Sequence, residues 1–522
     1  MPLLTKNDCQ TAEAFSTLAF CNPFLPERVD CEKRILGRAT RDEQRVWSAR
    51  VDDTGANKTL SMLQDKAEAL VQTMRAEANR KEGVTPREQQ LYEDVAAYVL
   101  YYRFQNRFLD LIEQTPDAAF TVKYRRVTFF DAFHADANRL LNRFPGRESL
   151  SRQDVAHLFA CFFQVRRAFH HIFRCIFGGS MTAARLRAAV WQSIFTHNMR
   201  RYRQYLYDRL GDMSVLITGA SGTGKELVAR AIGLSRYIPF DPDAEAFAAD
   251  WQTSFHALNL SALSATLIEA ELFGHRRGAF TGAEEAHAGW FEACGPHGTV
   301  FLDEIGDANQ HVQIKLLRLL ESRTFSRLGE TEPRTFNGKV IAATNRDLGA
   351  AMEEGAFRQD LYYRLCADTI HTPPLHEQLA DSPRELENLV RHLCERIAGG
   401  EHAESLQKEV TDWIEKNMGR NYSWPGNVRE LEQCVRNILI RRSYKPPVRQ
   451  GVPSRGRFAG LHEGRFTADE LLNQYCAHVY EQCGSYEEAG RRLRLDRRTV
   501  KRRVTASRQP TRQTPAKETN IR

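Results

Sequence analysis

Seven residues constrain this chain more than any others: Gly219-Ala220-Ser221-Gly222-Thr223-Gly224-Lys225. They follow the strand-like run Ser214-Val215-Leu216-Ile217 and open a stretch with helical periodicity, the context a phosphate-binding loop requires. The glycines let successive backbone N–H groups turn onto phosphate oxygens, the lysine sets a positive charge beside them, and the following helix adds the partial charge of its N-terminus. Such a loop commits its surroundings to an α/β fold, a parallel sheet with helices on both faces. Thr299-Val300-Phe301-Leu302 and Lys339-Val340-Ile341-Ala342-Ala343 read as further buried strands of that sheet. The first delivers Asp303 and Glu304 to the strand end where ligands bind in open parallel sheets. Asp303 suits a hold on Mg²⁺ through water, and Glu304 suits polarising an attacking water. The second ends in Thr344 and Asn345, a polar pair placed to sense a γ phosphate or position the water. ATP with Mg²⁺ is the expected ligand. Glu226 stands where serine or threonine usually reaches the magnesium.

At 522 residues the chain is too long for one core, and it divides by pattern. Residues 1–190 read as a mainly helical regulatory region, with amphipathic stretches at Glu88 to Leu111 and Val155 to Phe177. Residues 191–372 carry the strands and the phosphate loop, and 373–444 turn helical again as a lid. Residues 445–464, rich in Pro, Gly and Arg, read as a linker, 465–507 as a short helical unit, and 508–522 as a disordered polar tail. No run approaches the roughly 20 apolar residues a membrane span needs, and the N-terminus lacks a secretion pattern, so a cytoplasmic, membrane-free protein is expected. Its 11 cysteines, without C-x-x-C pairs, are expected as reduced, packed thiols. His157, Cys161, His171 and Cys175 form two i, i+4 pairs on one helix. The pairs lie roughly two and a half turns apart, so they cannot close around one ion, and packing is the expectation.

The net charge of +7 is mild but unevenly placed. From Gly490 to Arg508 there are nine Lys and Arg against the single acid Asp496. Ser485 to Leu493 and Asp496 to Val504 read as two helices around an Arg494-Leu495 turn, with Thr467 to Cys483 as a preceding helix. This is a helix-turn-helix pattern, in which Arg497, Arg498, Thr499, Lys501 and Arg502 line the second helix, placed to meet phosphates and base edges of double-stranded DNA.

Glu271-Leu272-Phe273-Gly274-His275, followed by Gly278-Ala279-Phe280-Thr281-Gly282-Ala283, resembles the signature loop of sigma-54-dependent transcription activators, the bacterial enhancer-binding branch of the AAA+ ATPases. The phosphate loop with its Glu226, which is that family's usual form, resembles it too, as do Leu258-Asn259-Leu260 and Phe301 to Gly306. So do Ala343 to Leu348, Phe357 to Leu365, and Trp424 to Leu431. The resemblance implies an AAA+ P-loop ATPase with a helical lid, closed by a Fis-type helix-turn-helix. It implies that Arg358 and Arg364 are fingers reaching a neighbouring subunit's ATP, that Arg429 is the lid's nucleotide sensor, and that Asn259 restrains Glu304. It gives the sigma-factor contact to Gly278, Ala279, Phe280, Thr281, Gly282 and Ala283. The partners implied are sigma-54 RNA polymerase, upstream DNA sites, and further copies of the chain, as a hexameric ring at work and a dimer at rest. His376-Glu377-Gln378 departs from the family's usual Arg-Glu-Arg. Two other readings weigh less: a helicase loader or unfoldase, which leaves the 278–283 loop unexplained, and a repressor with a vestigial ATPase, which leaves Glu304, Arg358 and Arg364 unexplained.

Overall fold

The computed structural model describes residues 4–37, 54–80, 84–114, 126–142, 150–382, 384–419, 422–446 and 467–507. The linker and the tail expected at 445–464 and 508–522 lie almost wholly outside the described residues. The chain divides into two units, Met1–Tyr444 and Lys445–Arg522.

The middle of the first unit is strand-bearing. Its strands in chain order are β1 (Val215–Thr218), β2 (Phe240–Asp241), β3 (Ala246–Phe247), β4 (Phe255–Asn259), β5 (Thr299–Asp303), β6 (Thr324–Phe325), β7 (Arg334–Thr335), β8 (Lys339–Thr344) and β9 (Asp368–His371). Five of them form one all-parallel sheet in the order β4-β5-β8-β1-β9. The central strands are apolar on both faces because both faces are covered. One face packs on the helices Ala265–Phe273, Gln310–Ser322 and Gln359–Leu365. The other packs on the helix Lys225–Gly233 and on helices from the N-terminal region. This is the AAA+ fold. A lid of the helices Glu385–Ala398, Gly400–Asn417 and Asn427–Arg441 follows, with its own core around Leu389, Leu393, Trp424 and Leu431.

The N-terminal region is helical: α1 (Lys6–Phe20), α2 (Pro26–Leu36), α3 (Thr54–Arg80), α4 (Pro86–Glu113), α5 (Phe130–Ala137), α6 (Arg152–Cys175) and α7 (Met181–Phe195). Capping boxes start two of them, Thr85 with Glu88 on α4 and Ser151 with Asp154 on α6. The amphipathic pattern expected on α4 gives way in its middle to burial on every side, from Asp94 through Leu100, because α1, α3 and α6 all pack on it. The boundary drawn at residue 190 falls inside α7, which runs unbroken to Phe195. Trp191, Ile194 and Phe195 of α7 share a core with Val228 and Ile232 of the helix behind the phosphate loop. Phe159 on α6 meets Phe240 and Phe247 of the β2–β3 hairpin at ring separations of 4.7 and 6.0 Å. The helical region and the ATPase core therefore share hydrophobic cores, and a cut at 190 would sever a helix. His157, one of the residues weighed as a metal ligand, spends both ring nitrogens on the Tyr237 hydroxyl and the Arg203 carbonyl, each at 2.8 Å. No described helix is long and apolar enough to cross a membrane.

The second unit holds three helices, Ala468–Cys483, Tyr486–Leu493 and Arg497–Ser507, around Cys476, Val479, Ala489, Val500 and Val504. Arg494, at φ +52°, turns the chain between the last two. The N–H of Leu495 donates to the Gly490 carbonyl at 3.0 Å, so the turn is short and the helices cross closely at Ala489.

Phe159→Ala removes a fully buried ring from the junction between the N-terminal helices and the hairpin. It is expected to cost about 3–5 kcal/mol of unfolding free energy. Urea denaturation of the full chain checks this, and a loss below about 1 kcal/mol would mean the site collapses to fill the gap.

Candidate active site

Four strand ends converge on one edge of the sheet. In register, Thr218 of β1 lies beside Thr344 of β8, and Asn259 of β4 beside Asp303 of β5. The phosphate loop leaves β1 and the helix Lys225–Gly233 carries Lys225 at its first turn. Gly224 caps that helix at φ +90°, a conformation a side chain would strain. Lys225 is buried and donates to the carbonyls of Gly219 at 3.0 Å and Ala220 at 3.3 Å, with Glu304 Oε1 3.9 Å away. Burial lowers its pKa, against the pull of Glu304 and Asp303. The Asp303 carboxyl is raised from its ordinary value, first by burial and then by the charge of Glu304 beside it. Burial is the leading cause at both groups and disfavours the charge of Lys225 and of Asp303 alike. Polyphosphate with a dication would relieve both.

Glu304 sits at φ +54°, in the left-handed region that non-glycine residues seldom occupy. That backbone turn follows directly on β5, and the Asn345 N–H donates to Glu304 Oε2 at 3.1 Å. Asn259 does not touch Glu304 among the hydrogen bonds here. Its Nδ2 donates to Asp303 Oδ2 at 3.3 Å, while its Oδ1 accepts from the Ser261 N–H and hydroxyl. Thr344 is fully buried, and its hydroxyl accepts from the Arg346 N–H, so of the expected pair only Asn345 stays exposed. Glu226 faces outward and pairs with Arg230 at 3.1 Å, one turn along its own helix.

The lid closes on the loop through contacts that the sequence reading only partly anticipates. Arg429 Nη1 donates to Ser221 Oγ at 3.0 Å, which places its side chain against the phosphate loop. Asn427, not singled out from the sequence, does more. Its Nδ2 donates to the Ser221 carbonyl at 2.9 Å and its Oδ1 accepts from the Leu375 N–H at 2.8 Å. The Val428 N–H donates to the Gly222 carbonyl at 3.1 Å. A Cβ on Gly222 would lie 2.3 Å from the Gly426 carbonyl, so the loop and the lid meet backbone to backbone. Thr372 was likewise missed; its hydroxyl bonds that of Thr223, a residue of the expected loop, at 2.7 Å and ties the loop to the end of β9. The only hint was the polar stretch that closes β9 before Pro373-Pro374. In the departing segment His376-Glu377-Gln378, Gln378 is buried and donates to the Pro373 carbonyl at 3.2 Å.

The other expected residues lie on outer surfaces. Arg358 precedes the helix Gln359–Leu365 and pairs with Asp360 at 2.6 Å; Arg364 on that helix lies 3.5 Å from Glu321. Both side chains are about half exposed, at 42% and 56%. The loop 278–283 folds back on itself, with the Gly278 N–H donating to the Ala283 carbonyl and the Ala283 N–H to Phe280. Its base is stitched by the His275–His287 backbone pair and by Gly274 accepting from Leu328. Thr281 at the tip is exposed, and the Phe280 ring stands edge-on to His275 at 5.0 Å. In the second unit Arg497, Arg498, Lys501 and Arg502 are exposed. Thr499 is half-buried, and its N–H and hydroxyl both donate to Asp496, which caps the helix.

Residues 194–371 match the Sigma-54 interaction domain family, and residues 383–447 the AAA+ ATPase lid domain. The chain thus contains a sigma-54 interaction domain followed by its lid, and by family such domains are ATPases. Curated relatives include the transcriptional regulatory protein ZraR of Klebsiella oxytoca, 38% identical over 55% of this chain and 62% of that protein. The DNA-binding transcriptional regulator NtrC of Azospirillum brasilense is 42% identical over 44% of this chain and 43% of its own length. The sigma-54-dependent activator SfnR of Pseudomonas putida is 42% identical over 44% and 57%. The matches span about half the length of these relatives and leave the N-terminal helices outside the two family matches.

Because the Asp303 pKa is raised in the fold, the folded state holds that proton more tightly than the unfolded state. Its contribution to stability is therefore present at low pH and lost as pH rises through the folded value. Asp303→Asn is expected to raise the melting temperature at neutral pH without nucleotide, with the gain shrinking toward about pH 4. Thermal denaturation at both pH values checks this; a lowered melting temperature at neutral pH contradicts it.

Proposed function

We propose that this chain is a sigma-54-dependent transcription activator, which uses ATP hydrolysis in a ring of identical subunits to remodel sigma-54 RNA polymerase at a promoter. The observation that carries the reading is the pairing of a complete phosphate site with an intact, outward-facing Gly278–Ala283 loop on the same domain. The residues fit ATP and Mg²⁺. Gly219 to Gly224 offer backbone N–H groups to the phosphates, Lys225 turns from its two carbonyl acceptors to the phosphate charge, and Asp303 holds Mg²⁺ through water. The metal, when bound, neutralises charge on the phosphate oxygens. Glu304 accepts the proton of the attacking water, and the Asn345 N–H holds its carboxylate in place. Arg429 and Asn427 relay nucleotide occupancy to the lid, because both grip the loop at Ser221.

Arg358 and Arg364, paired only with exposed acids of their own surface, serve a neighbouring subunit's phosphate in a closed ring. Phe280 and Thr281 grip the sigma factor. The C-terminal unit holds upstream DNA through Arg497, Arg498, Lys501 and Arg502, with Thr499 shaping the helix that bears them. The N-terminal helices regulate the motor, and the protein works in the cytoplasm where polymerase is.

Thr281→Ala is expected to leave ATP turnover within about twofold while abolishing open-complex formation on a sigma-54 promoter. Glu304→Gln keeps ATP binding and loses turnover by two orders of magnitude or more, roughly the effect of removing a general base. Full transcriptional activity in Thr281→Ala, or no stimulation of sigma-54 polymerase by the unmodified chain, overturns the assignment. Arg498→Ala should weaken DNA binding by about 1–3 kcal/mol in a mobility-shift titration at fixed salt, and unchanged affinity would move the DNA reader elsewhere.

A further inference from the structure

An arginine that serves a neighbouring subunit's nucleotide has to be presented by a backbone that is itself held in place. Arg364 lies within the helix Gln359–Leu365, whose own hydrogen bonds fix it. Arg358 has no such support. It caps the start of that helix at φ −81° and ψ 131°, where a backbone N–H has no partner inside the helix. That N–H donates instead to Gln313 Oε1 at 2.9 Å.

Gln313 lies in the helix Gln310–Ser322 and is fully buried. Both its amide protons and its amide oxygen are engaged. The Nε2 donates to the Ala308 carbonyl at 2.8 Å and to the Ala356 carbonyl at 3.0 Å. Three backbone groups from three segments thus meet on one side chain. Ala308 closes the short turn Ile305–Asp307, which begins at Glu304. Ala356 belongs to the loop that leaves the helix Leu348–Glu353, and Arg358 stands two residues further on. Phe357 between them is buried in the core that holds Val312, Leu316 and Leu361. Gln310, at the start of the same helix as Gln313, donates to the Gly355 carbonyl at 3.4 Å. The loop before Arg358 is therefore fastened to the helix that follows the Glu304 turn, while the Arg358 guanidinium stays at the surface beside Asp360.

A glutamine offers two donors and an acceptor in one plane, which is what two carbonyls and one N–H require. An apolar chain of the same shape would leave all three backbone groups unpaired away from water.

We infer that Gln313 is a positioning residue for Arg358: its amide sets the backbone of that arginine against the turn of Glu304, and so presents the guanidinium to the neighbouring subunit's phosphates. This rests on the reading above in which Arg358 acts on a neighbour's ATP. Gln313 bonds to neither the phosphate loop nor the lid, so its loss leaves ATP binding in its own subunit intact. A displacement of roughly 1 Å in a group that meets the reacting atoms is enough to cost about a hundredfold in rate.

Mixed rings of the full chain test this, with ATP turnover read where it no longer rises with subunit concentration. Gln313→Met alone is expected to lose turnover by roughly tenfold to a hundredfold. Its affinity for a fluorescent ATP analogue should stay within twofold of the unmodified chain. Glu304→Gln has no turnover of its own but keeps an intact Arg358. In a one-to-one mixture with it, each Gln313→Met subunit should regain turnover by threefold or more, because a neighbour now supplies a well-presented arginine. Arg358→Ala mixed with Glu304→Gln should recover in the same way. A packing defect confined to the Gln313 subunit is not cured by its neighbour. Should the methionine variant not fold, Gln313→Glu, which keeps an acceptor for the Arg358 N–H, goes through the same mixing with the same expectation. Turnover of the Gln313 variant within twofold of the unmodified chain, or a tenfold loss of its ATP affinity, overturns the proposal. So does a failure to recover in the mixture where Arg358→Ala does recover. If neither variant recovers, the reading of Arg358 as acting across the interface falls, and the positioning role with it.

Discussion

The contact between Gly222 and the Gly426–Asn427 turn is the constraint on which the rest of the ATPase unit depends. A phosphate loop must stay flexible enough to wrap a polyphosphate, yet this one is met from above by a lid whose backbone leaves no room for a Cβ. Asn427 makes that approach hold, because one amide spans the loop carbonyl of Ser221 and the first N–H of the helix Leu375–Asp381. Its own φ of +54° lets the side chain reach both. With Arg429 on the same helix touching Ser221, any change in what the loop holds must either preserve this contact or move the lid. The strand-end site and the lid are joined where Ser221 and Gly222 meet Gly426, Asn427 and Arg429.

What the sequence revealed, and what it did not, follows from how local each signal is. The phosphate loop and the strands β1, β5 and β8 were legible because two-sided burial leaves a continuous β-branched and apolar run. The edge strands were not. β4 (Phe255–Asn259) is only half-buried, and β9 (Asp368–His371) holds a single apolar residue, Ile370, so neither separates from a loop by pattern alone. Asn427, Thr223 and Thr372 act through partners distant in the chain, and no spacing rule announces such a partner. Thr499 shows a local partner that the basic pattern also leaves unannounced: its hydroxyl donates to Asp496 three residues away.

The N-terminal helices illustrate a limit of composition-based domain edges. A switch from helical to strand-rich pattern near residue 200 suggests two bodies, yet the aromatic residues of α6 and α7 find their burial on the ATPase side. Phe159, Phe163 and Trp251 close one junction, and Trp191 with Val228 and Ile232 closes the other. Hydrophobic area that one element exposes is buried by another regardless of where the pattern changes. For this chain that makes the N-terminal helices a structural neighbour of the ATPase core and not an appendage on a tether.

The left-handed backbone at Glu304 bears on how this position can drift. A non-glycine residue there carries roughly 1–2 kcal/mol that glycine would not, and a β-branched residue carries more. Folding stability alone would therefore replace the glutamate with glycine, or with asparagine. With Glu304 as the proposed base, selection for stability and selection for turnover oppose each other at this single residue. Variants recovered for greater thermal robustness should concentrate here, and they should be the ones that no longer turn over.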